Sequence, residues 1–164
     1  MGQETHDKGV LKVDAAPGGA KLRLRIAFVL NAGVVLWLLL VGVDYVTSGE
    51  PKPHHQQFLE VPFHTLTPGT QLLIMTLMKG TGLAALVTSL SLAILLVFPF
   101  RRHENWSRWA ILAIAGFTLI PTLVKTLEGR ALVGISAPWW PHVVMLVGVA
   151  IAFWLTADFS NSKS

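Results

Sequence analysis

The sequence predicts an all-α fold: a transmembrane bundle of four helices in one membrane domain that spans residues 1–164. Three observations lead to this prediction. Hydrophobic residues make up 52% of the 164 residues, and charged residues make up only 13%. The mean hydropathy of +0.57 lies outside the range of soluble globular domains. Four apolar segments follow one another along the chain, separated by more polar stretches.

The first two apolar segments predict long membrane-spanning helices. The first runs from about Ile26 to Val46, which at about 1.5 Å per residue is enough to cross a hydrocarbon core of about 30 Å. The second is expected to run from about Pro68 to Phe98. Thr67 is its predicted N-cap, with proline at the first helical position, and Pro99 and the basic residues after it end the helix.

The third and fourth segments predict two further helices. The third runs from about Trp106 to Leu127, and Pro121 is expected to kink it near its far end, because proline lacks an N–H and frees one carbonyl. The fourth runs from about Pro141 to Leu155 and is short for a membrane span. We expect it to stand close to the bilayer normal, or to begin with the interface anchor Trp139-Trp140.

Lysine and arginine are distributed unevenly about these helices. Nine of the 13 fall in the N-terminal tail, in the loop after the second helix and in the C-terminal tail. The positive-inside rule therefore predicts that both termini and this loop are cytoplasmic, and that the extended first loop and the third loop lie outside. Residues 1–20 are expected to form a flexible cytoplasmic tail before a retained anchor, not a cleaved signal peptide.

The composition also excludes several kinds of chemistry. The chain has no cysteine, which rules out disulfides, thiolate metal ligands and cysteine nucleophiles. The basic residues flank apolar segments instead of forming a face with interleaved aromatics, so we expect no nucleic-acid partner. Four histidines on the predicted outer side lack the spacing of a metal signature, and we expect no metal site, no cofactor and no catalytic residues. They are His54, His55, His64 and His142.

Small side chains recur every four residues along the second helix. In lipid, apolar helices gain little from the hydrophobic effect, and small residues pack them by letting their backbones approach. We therefore predict that this helix is the most contacted one and packs through a small-residue face. The face comprises Gly80, Thr81, Ala84, Ala85, Thr88, Ser89 and Ala93.

The hydroxyls on this helix allow a second interpretation, a polar track for a substrate. It is less favoured, because hydroxyls on transmembrane helices usually bond the carbonyl four residues back. The track would be lined by Thr81, Thr88, Ser89 and Ser91. We also expect Asn31, in the first helix, to bond Ser89 or Ser91 across the helix contact.

Lys79 is a charge within an otherwise apolar helix. At about 100° per residue it lies away from the small-residue face, and about 20 residues separate it from Phe98, so we expect it to reach the outer headgroups. The alternative is a buried ion pair with Asp44 or Glu128. A candidate outer polar cluster follows from these positions, and its members are Asp44, Lys79, Glu128, His64 and His142.

The predicted first loop, from Gly49 to Thr67, is unusually apolar. It carries three prolines and several large hydrophobic side chains, so we expect it to lie on the helices or in the membrane interface. One hypothesis is that it acts as a lid.

The first helix ends near VGVDYVTSGEP, the second closes in LLVFPFRR, the third contains PTL and the fourth follows APWWPH. In this layout the chain resembles small bacterial four-helix integral membrane proteins of the DoxX-like class and related families of unknown function. The resemblance covers about residues 22 to 156. It implies a multi-pass protein of the bacterial inner membrane, often an accessory one, and it implies no catalytic residues.

The favoured function is an accessory or scaffold subunit of a membrane complex, with the lipid bilayer and either a membrane-protein partner or further copies of the chain as its partners. One alternative is a transporter of small molecules or lipids that acts as an oligomer, since four helices are few for alternating access. A second alternative is a membrane enzyme that uses an outward-facing acid or base. Its candidates are His54, His64, Glu60 and Asp44.

Overall fold

A computed structural model describes residues 17–157 of the chain, and this part is helical, with no β-strand. The all-α class is therefore confirmed. A 3-10 turn at Phe63–Thr65 follows the short helix Pro53–Gln56, and a π-helical segment, Leu96–Phe100, extends the helix Pro68–Leu95. The α-helices are α1 (Pro17–Thr47), α2 (Pro53–Gln56), α3 (Pro68–Leu95), α4 (Asn105–Val133) and α5 (Trp140–Leu155).

Three of these helices are long and apolar enough to cross a membrane. They are Gly18–Thr47, Pro68–Phe100 and Asn105–Val133. Helix α5 has 16 residues, about 24 Å of helix against a hydrocarbon core of about 30 Å. The chain is thus a multi-pass membrane protein by helix length and composition, and a fourth crossing by α5 stays a prediction.

The helix boundaries extend beyond those expected from the sequence. Helix α1 begins at Pro17, so Gly18 and Gly19 are helical, although they were expected in the flexible tail. Residues 1–16 of that tail lie outside the described residues. The extra turns contain alanine, leucine, lysine and arginine, which favour helix.

The start of α3 has the expected cap, and α4 passes through its proline. Thr67 Oγ1 accepts a hydrogen bond from the backbone N–H of Thr70, at 3.3 Å, and Pro68 occupies the first turn. Helix α4 continues through Pro121 to Val133, beyond the expected end. It ends there because Gly134 adopts a left-handed conformation, with φ 73°, which favours glycine.

Helix α1 is the central element of the described chain. It packs along both α3 and α5, α5 packs on α4, and α3 and the π-helical segment after it both contact α4. The prediction that α3 is the most contacted helix is therefore wrong, because α1 has two large helix contacts. The buried core that joins these helices includes Ala27, Val34, Leu38, Leu92, Leu96, Phe100, Ile111, Ala115, Leu119, Val149 and Ala152.

The face that α3 turns toward α1 differs from the predicted small-residue face. Ser89 is buried, and Ala85, Thr88 and Ala93 are partly buried, but Gly80, Thr81 and Ala84 are exposed. The buried positions of α3 are spaced three, four or seven residues apart, as on one face of a helix, and continue into the π-helical segment. They are Met78, Gly82, Ser89, Leu92 and Leu96.

Gly82 explains this difference. A Cβ atom at Gly82 would lie 2.7 Å from Cβ of Tyr45, so only glycine allows α3 to lie this close to the end of α1. At Gly80 a Cβ would meet nothing within 4 Å. Two glycines in one helical turn thus face nearly opposite directions, and the one that contacts α1 is Gly82.

We call the end that holds Arg25, Arg101 and Arg108 the arginine end. At this end the Arg108 side chain, at the start of α4, donates a 2.9 Å hydrogen bond to the carbonyl of Thr156, just after α5. We call the opposite end, where α1 finishes, the Tyr45 end.

Candidate functional site

A group of polar side chains gathers at the Tyr45 end, where the chain leaves α1 and turns back. Asp44, in the last turn of α1, accepts a 2.6 Å ion-pair hydrogen bond from Lys52 Nζ. Ser48 Oγ donates to the carbonyl of Glu50 within the turn. Pro53 then begins α2 at its first position. The ion pair therefore fixes α2 beside the final turn of α1.

This turn brings two histidines to one tyrosine. Tyr45 Oη lies 3.2 Å from His54 Nε2 and 3.0 Å from His55 Nε2. The two imidazole rings lie edge to face, with centroids 4.4 Å apart, and the His55 ring lies edge to face with Tyr45 at 5.5 Å. We call these three residues the Tyr45 cluster.

The hydrogen bonds of the Tyr45 cluster fit two neutral imidazoles in complementary tautomers. A phenol donates one hydrogen bond and accepts others, so it can donate to one Nε2 while the second Nε2 carries a proton and donates back. Burial lowers the pKa of His54, and Lys52 lowers it further, while Asp44 opposes this shift. Burial also lowers the pKa of His55, with a further contribution from His54. The neutral forms are thus favoured at pH 7.

The chemistry available to the Tyr45 cluster is proton uptake and proton transfer. A proton added to the ring whose Nε2 accepts turns that nitrogen into a donor, whereas a proton added to the other ring goes to its Nδ1. Either proton places a cation beside a second imidazole and near Lys52. For a metal ion, the cluster offers two imidazole ligands. Among residues 17–157 no three His, Cys, Asp or Glu side chains are grouped so that they could hold a metal.

The structure separates the residues of the candidate outer polar cluster. Asp44 is paired with Lys52, and Glu128 is paired with Lys125 at 2.7 Å, one turn away on α4. Lys79 is exposed and forms no ion pair with another described residue. The alternative in which Lys79 pairs with Asp44 or Glu128 is therefore wrong, because both carboxylates have closer partners.

The position of Lys79 fits a place near the membrane surface. Gly82 faces Tyr45 close to the end of α1, and Lys79 lies three residues earlier on α3, about 4.5 Å further along the axis. It is thus level with the last residues of α1. An exposed lysine at this level can extend its ammonium group toward the headgroups.

The two remaining members occupy separate elements. His64 is exposed in the 3-10 turn, where its carbonyl accepts a 3.3 Å hydrogen bond from Gln71. His142 is partly buried in the first turn of α5, and its Nδ1 has no partner of good geometry among the described residues. Of the five predicted residues, only Asp44 lies beside the Tyr45 cluster among the described residues, where it pairs with Lys52.

The first loop continues from the Tyr45 cluster across the end of the helices. Gln57 Oε1 accepts a 2.8 Å hydrogen bond from the backbone N–H of Ser136, and Gln57 Nε2 donates to Ser136 Oγ at 3.0 Å. The Phe58 ring lies against Gly129 of α4. The loop therefore joins the end of α1 to the α4–α5 connection. That it acts as a lid stays a prediction.

A second polar group lies inside the arginine end. Asn31 is 4% exposed, and its Oδ1 has no hydrogen-bond partner among the described residues. It borders a narrow gap, too small for a water molecule, together with Arg108, whose guanidinium lies 4.9 Å from the centroid of the Phe153 ring. The expected bond from Asn31 to Ser89 or Ser91 is absent from the described residues, because these hydroxyls bond the carbonyls of Val35 and Val87.

Comparison with protein-family models, with curated proteins and with solved structures gave no match. The class of the protein follows from its described residues, 17–157, which are helical and include three helices long and apolar enough to span a membrane. The resemblance to the DoxX-like class stays a prediction.

Proposed function

We propose that the chain is an accessory or scaffold subunit of a membrane complex and that it binds a neighbouring transmembrane helix through the exposed side of α3. The observation that carries this proposal is the exposure of Gly80, Thr81 and Ala84. We call these three residues the free face of α3.

The geometry of the free face supports helix contact. Gly80 and Gly82 point about 160° apart around the helix, so a partner at Gly80 would lie opposite α1. A Cβ atom at Gly80 meets nothing within 4 Å, which leaves room for another backbone. The spacing of Gly80 and Ala84 is the small-xxx-small pattern that lets transmembrane helices approach closely.

The hydroxyl groups on and beside the free face already have hydrogen-bond partners. Thr81 Oγ1 donates to the carbonyl of Leu77 at 3.0 Å, and Thr88 Oγ1 donates to the carbonyl of Ala84 at 2.9 Å. Each threonine therefore presents its methyl group on the helix surface and has no unpaired hydroxyl donor. This favours helix packing over the polar substrate track.

The proposed topology is a four-helix bundle with both termini in the cytoplasm of a bacterium and α5 as the fourth crossing of the inner membrane. Two observations support it: the clustering of lysine and arginine, and the Arg108–Thr156 hydrogen bond between the start of α4 and the end of α5. The proposed role requires neither catalysis nor a cofactor.

Cross-linking through a single cysteine tests the free face. The natural chain has no cysteine, so Ala84→Cys introduces the only thiol. Gly33→Cys is a matched control, since Gly33 is exposed on α1 and a Cβ there meets nothing within 4 Å. In native membranes, a thiol-reactive photo-cross-linker at Ala84→Cys is expected to yield one discrete larger band, either a dimer or a complex with a partner. The proposal would be contradicted if both variants gave the same yield of cross-linked protein, or if Ala84→Cys formed an adduct only with lipid.

A second candidate function rests on the Tyr45 cluster. A phenol bridging two neutral imidazoles favours a proton-linked role at the Tyr45 end, such as pH-dependent docking of the first loop. Its test is the pH series described in the Discussion.

A further inference from the structure

A groove opens at the arginine end, between the first part of α1 and the π-helical segment after α3. Its volume is about 570 Å³, within the usual range for ligand pockets. Most of its wall is apolar, and two arginines border it. The lining residues are Leu24, Arg25, Phe28, Val29, Phe100 and Arg101.

The arginines give the groove a positive rim. Arg25 and Arg101 are both exposed, and neither forms an ion pair with a carboxylate in residues 17–157. Guanidinium groups present paired N–H donors that match the oxygens of a phosphate. Two such groups at one opening, one on α1 and one in the turn after the π-helical segment, therefore favour a phosphate-bearing ligand.

Polarity changes with depth along the groove. Val29 follows Arg25 by four residues and so lies about 6 Å further into α1. Phe28 and Val29 thus line the deeper part of the wall, and the charges lie toward the end of the helix. A phospholipid has the same order, with a phosphate at the surface and acyl chains below it.

The wall that carries Arg101 is fixed by a tight turn. The carbonyl of Pro99 accepts from the backbone N–H groups of Arg102 and Glu104, each at 3.1 Å. His103 adopts a left-handed conformation, with φ 58°, and reverses the chain. Since Pro99 and Phe100 are buried, the groove is largely formed before a ligand arrives.

We propose that this groove binds an anionic phospholipid, with its phosphate between Arg25 and Arg101 and one acyl chain along Phe28 and Val29. The charge of the rim decides the lipid class. A zwitterionic lipid would bring its own cation to a site that already holds two, whereas an anionic lipid adds only negative charge.

Native mass spectrometry of the full chain tests this proposal. The protein is released from mixed micelles that contain phosphatidylglycerol and phosphatidylcholine in equal amounts. We expect phosphatidylglycerol to be retained about tenfold over phosphatidylcholine. Arg25→Gln and Arg101→Gln are each expected to reduce this preference severalfold. Arg102→Gln is the matched control, because it removes the same charge from the same turn outside the groove.

Two further measurements separate a lipid from a free anion. Val29 is 66% exposed, so Val29→Trp fills the deeper groove without disturbing the core and should reduce retention of phosphatidylglycerol, while Val29→Ala should not. Excess inorganic phosphate should leave the retained lipid in place. Equal retention of the two lipids, equal effects of Arg101→Gln and Arg102→Gln, or displacement by inorganic phosphate would overturn the proposal. Circular dichroism of each variant checks that it is folded.

Discussion

Gly42 and Gly82 face each other where α1 meets α3. A Cβ atom at Gly82 would lie 3.0 Å from the carbonyl oxygen of Gly42, and a Cβ atom at Gly42 would lie 2.9 Å from the carbonyl oxygen of Gly82. These carbonyl oxygens belong to the helix backbones and cannot move aside, whereas the Leu86 side chain, which a Cβ at Gly42 would also meet, can change its rotamer. The largest helix contact of the protein is thus built around two residues without side chains.

The first prediction concerns this contact. Gly82→Ala is expected to destabilise the detergent-solubilised protein by about 1–3 kcal/mol, because the methyl group forces the two helices apart. Thermal unfolding followed by circular dichroism measures the effect as a lower Tm. Gly80→Ala is the control: it has open space around it and should leave Tm unchanged or slightly raised. Equal Tm values for Gly82→Ala and the natural protein would contradict the close contact.

The second prediction concerns the hydrogen bond between α3 and α1. Ser89 is 2% exposed, and its Oγ donates to the carbonyl of Val35 at 2.8 Å. Ser89→Ala is expected to lower the free energy of unfolding by about 0.5–1.5 kcal/mol. Ser91→Ala provides a matched control, since Ser91 bonds the Val87 carbonyl of its own helix. If the two variants unfold alike, the interhelical bond contributes nothing measurable.

The third prediction concerns pH and the Tyr45 cluster. Because the pKa values of His54 and His55 are lowered in the folded state, the unfolded or detached loop binds protons more readily. Docking of α2 is therefore complete above the ordinary histidine pKa of about 6.5 and weakens as the pH falls below it. The charged groups facing the rings are Lys52, which disfavours protonation, and Asp44, which favours it.

Hydrogen exchange at pH 7.5 and pH 5.5 measures this docking. We expect the amides of residues 53–59, after correction for intrinsic exchange, to lose protection at the lower pH. A His54→Gln, His55→Gln double variant should remove most of this pH dependence, whereas His64→Gln, at an exposed histidine of the same loop, should retain it. Tyr45→Phe should weaken protection at pH 7.5, because both Nε2 atoms lose their partner. Unchanged protection between the two pH values would refute the coupling.

The fourth prediction concerns Lys79. Since this side chain is exposed and its possible carboxylate partners are engaged elsewhere, Lys79→Met is expected to change the free energy of unfolding by no more than about 0.5 kcal/mol. Lys52→Met, which removes the partner of Asp44, is expected to cost more, up to about 1 kcal/mol. A Tm loss of several degrees for Lys79→Met would indicate a buried interaction.

The long helices follow from the sequence, because a chain in lipid must satisfy its backbone groups within each apolar segment. The Thr67-Pro68 start of α3 follows for the same local reason: both residues act on their own turn. The sequence does not predict which side of α3 meets α1. The choice between Gly80 and Gly82 depends on Gly42 and Tyr45, which belong to another helix.

The Tyr45 cluster also does not follow from the sequence. Its histidines are nine and ten residues from Tyr45, with no helical or strand spacing to relate them. The turn between Asp44 and Lys52 brings them together, and the ion pair across this turn joins two groups that each look like ordinary interface charges. The one available signal was the adjacent pair His54-His55 soon after an Asp-Tyr helix end.

Labelling of single cysteines from each side of the membrane tests the topology most directly. In sealed vesicles of one orientation, Gly19→Cys and Ala157→Cys, at the two ends of the described chain, should react with an impermeant maleimide from the same side. Glu60→Cys, in the exposed first loop, should react only from the opposite side. Reaction of Gly19→Cys and Ala157→Cys from opposite sides would show that α5 does not cross, and would contradict the proposed four-helix arrangement.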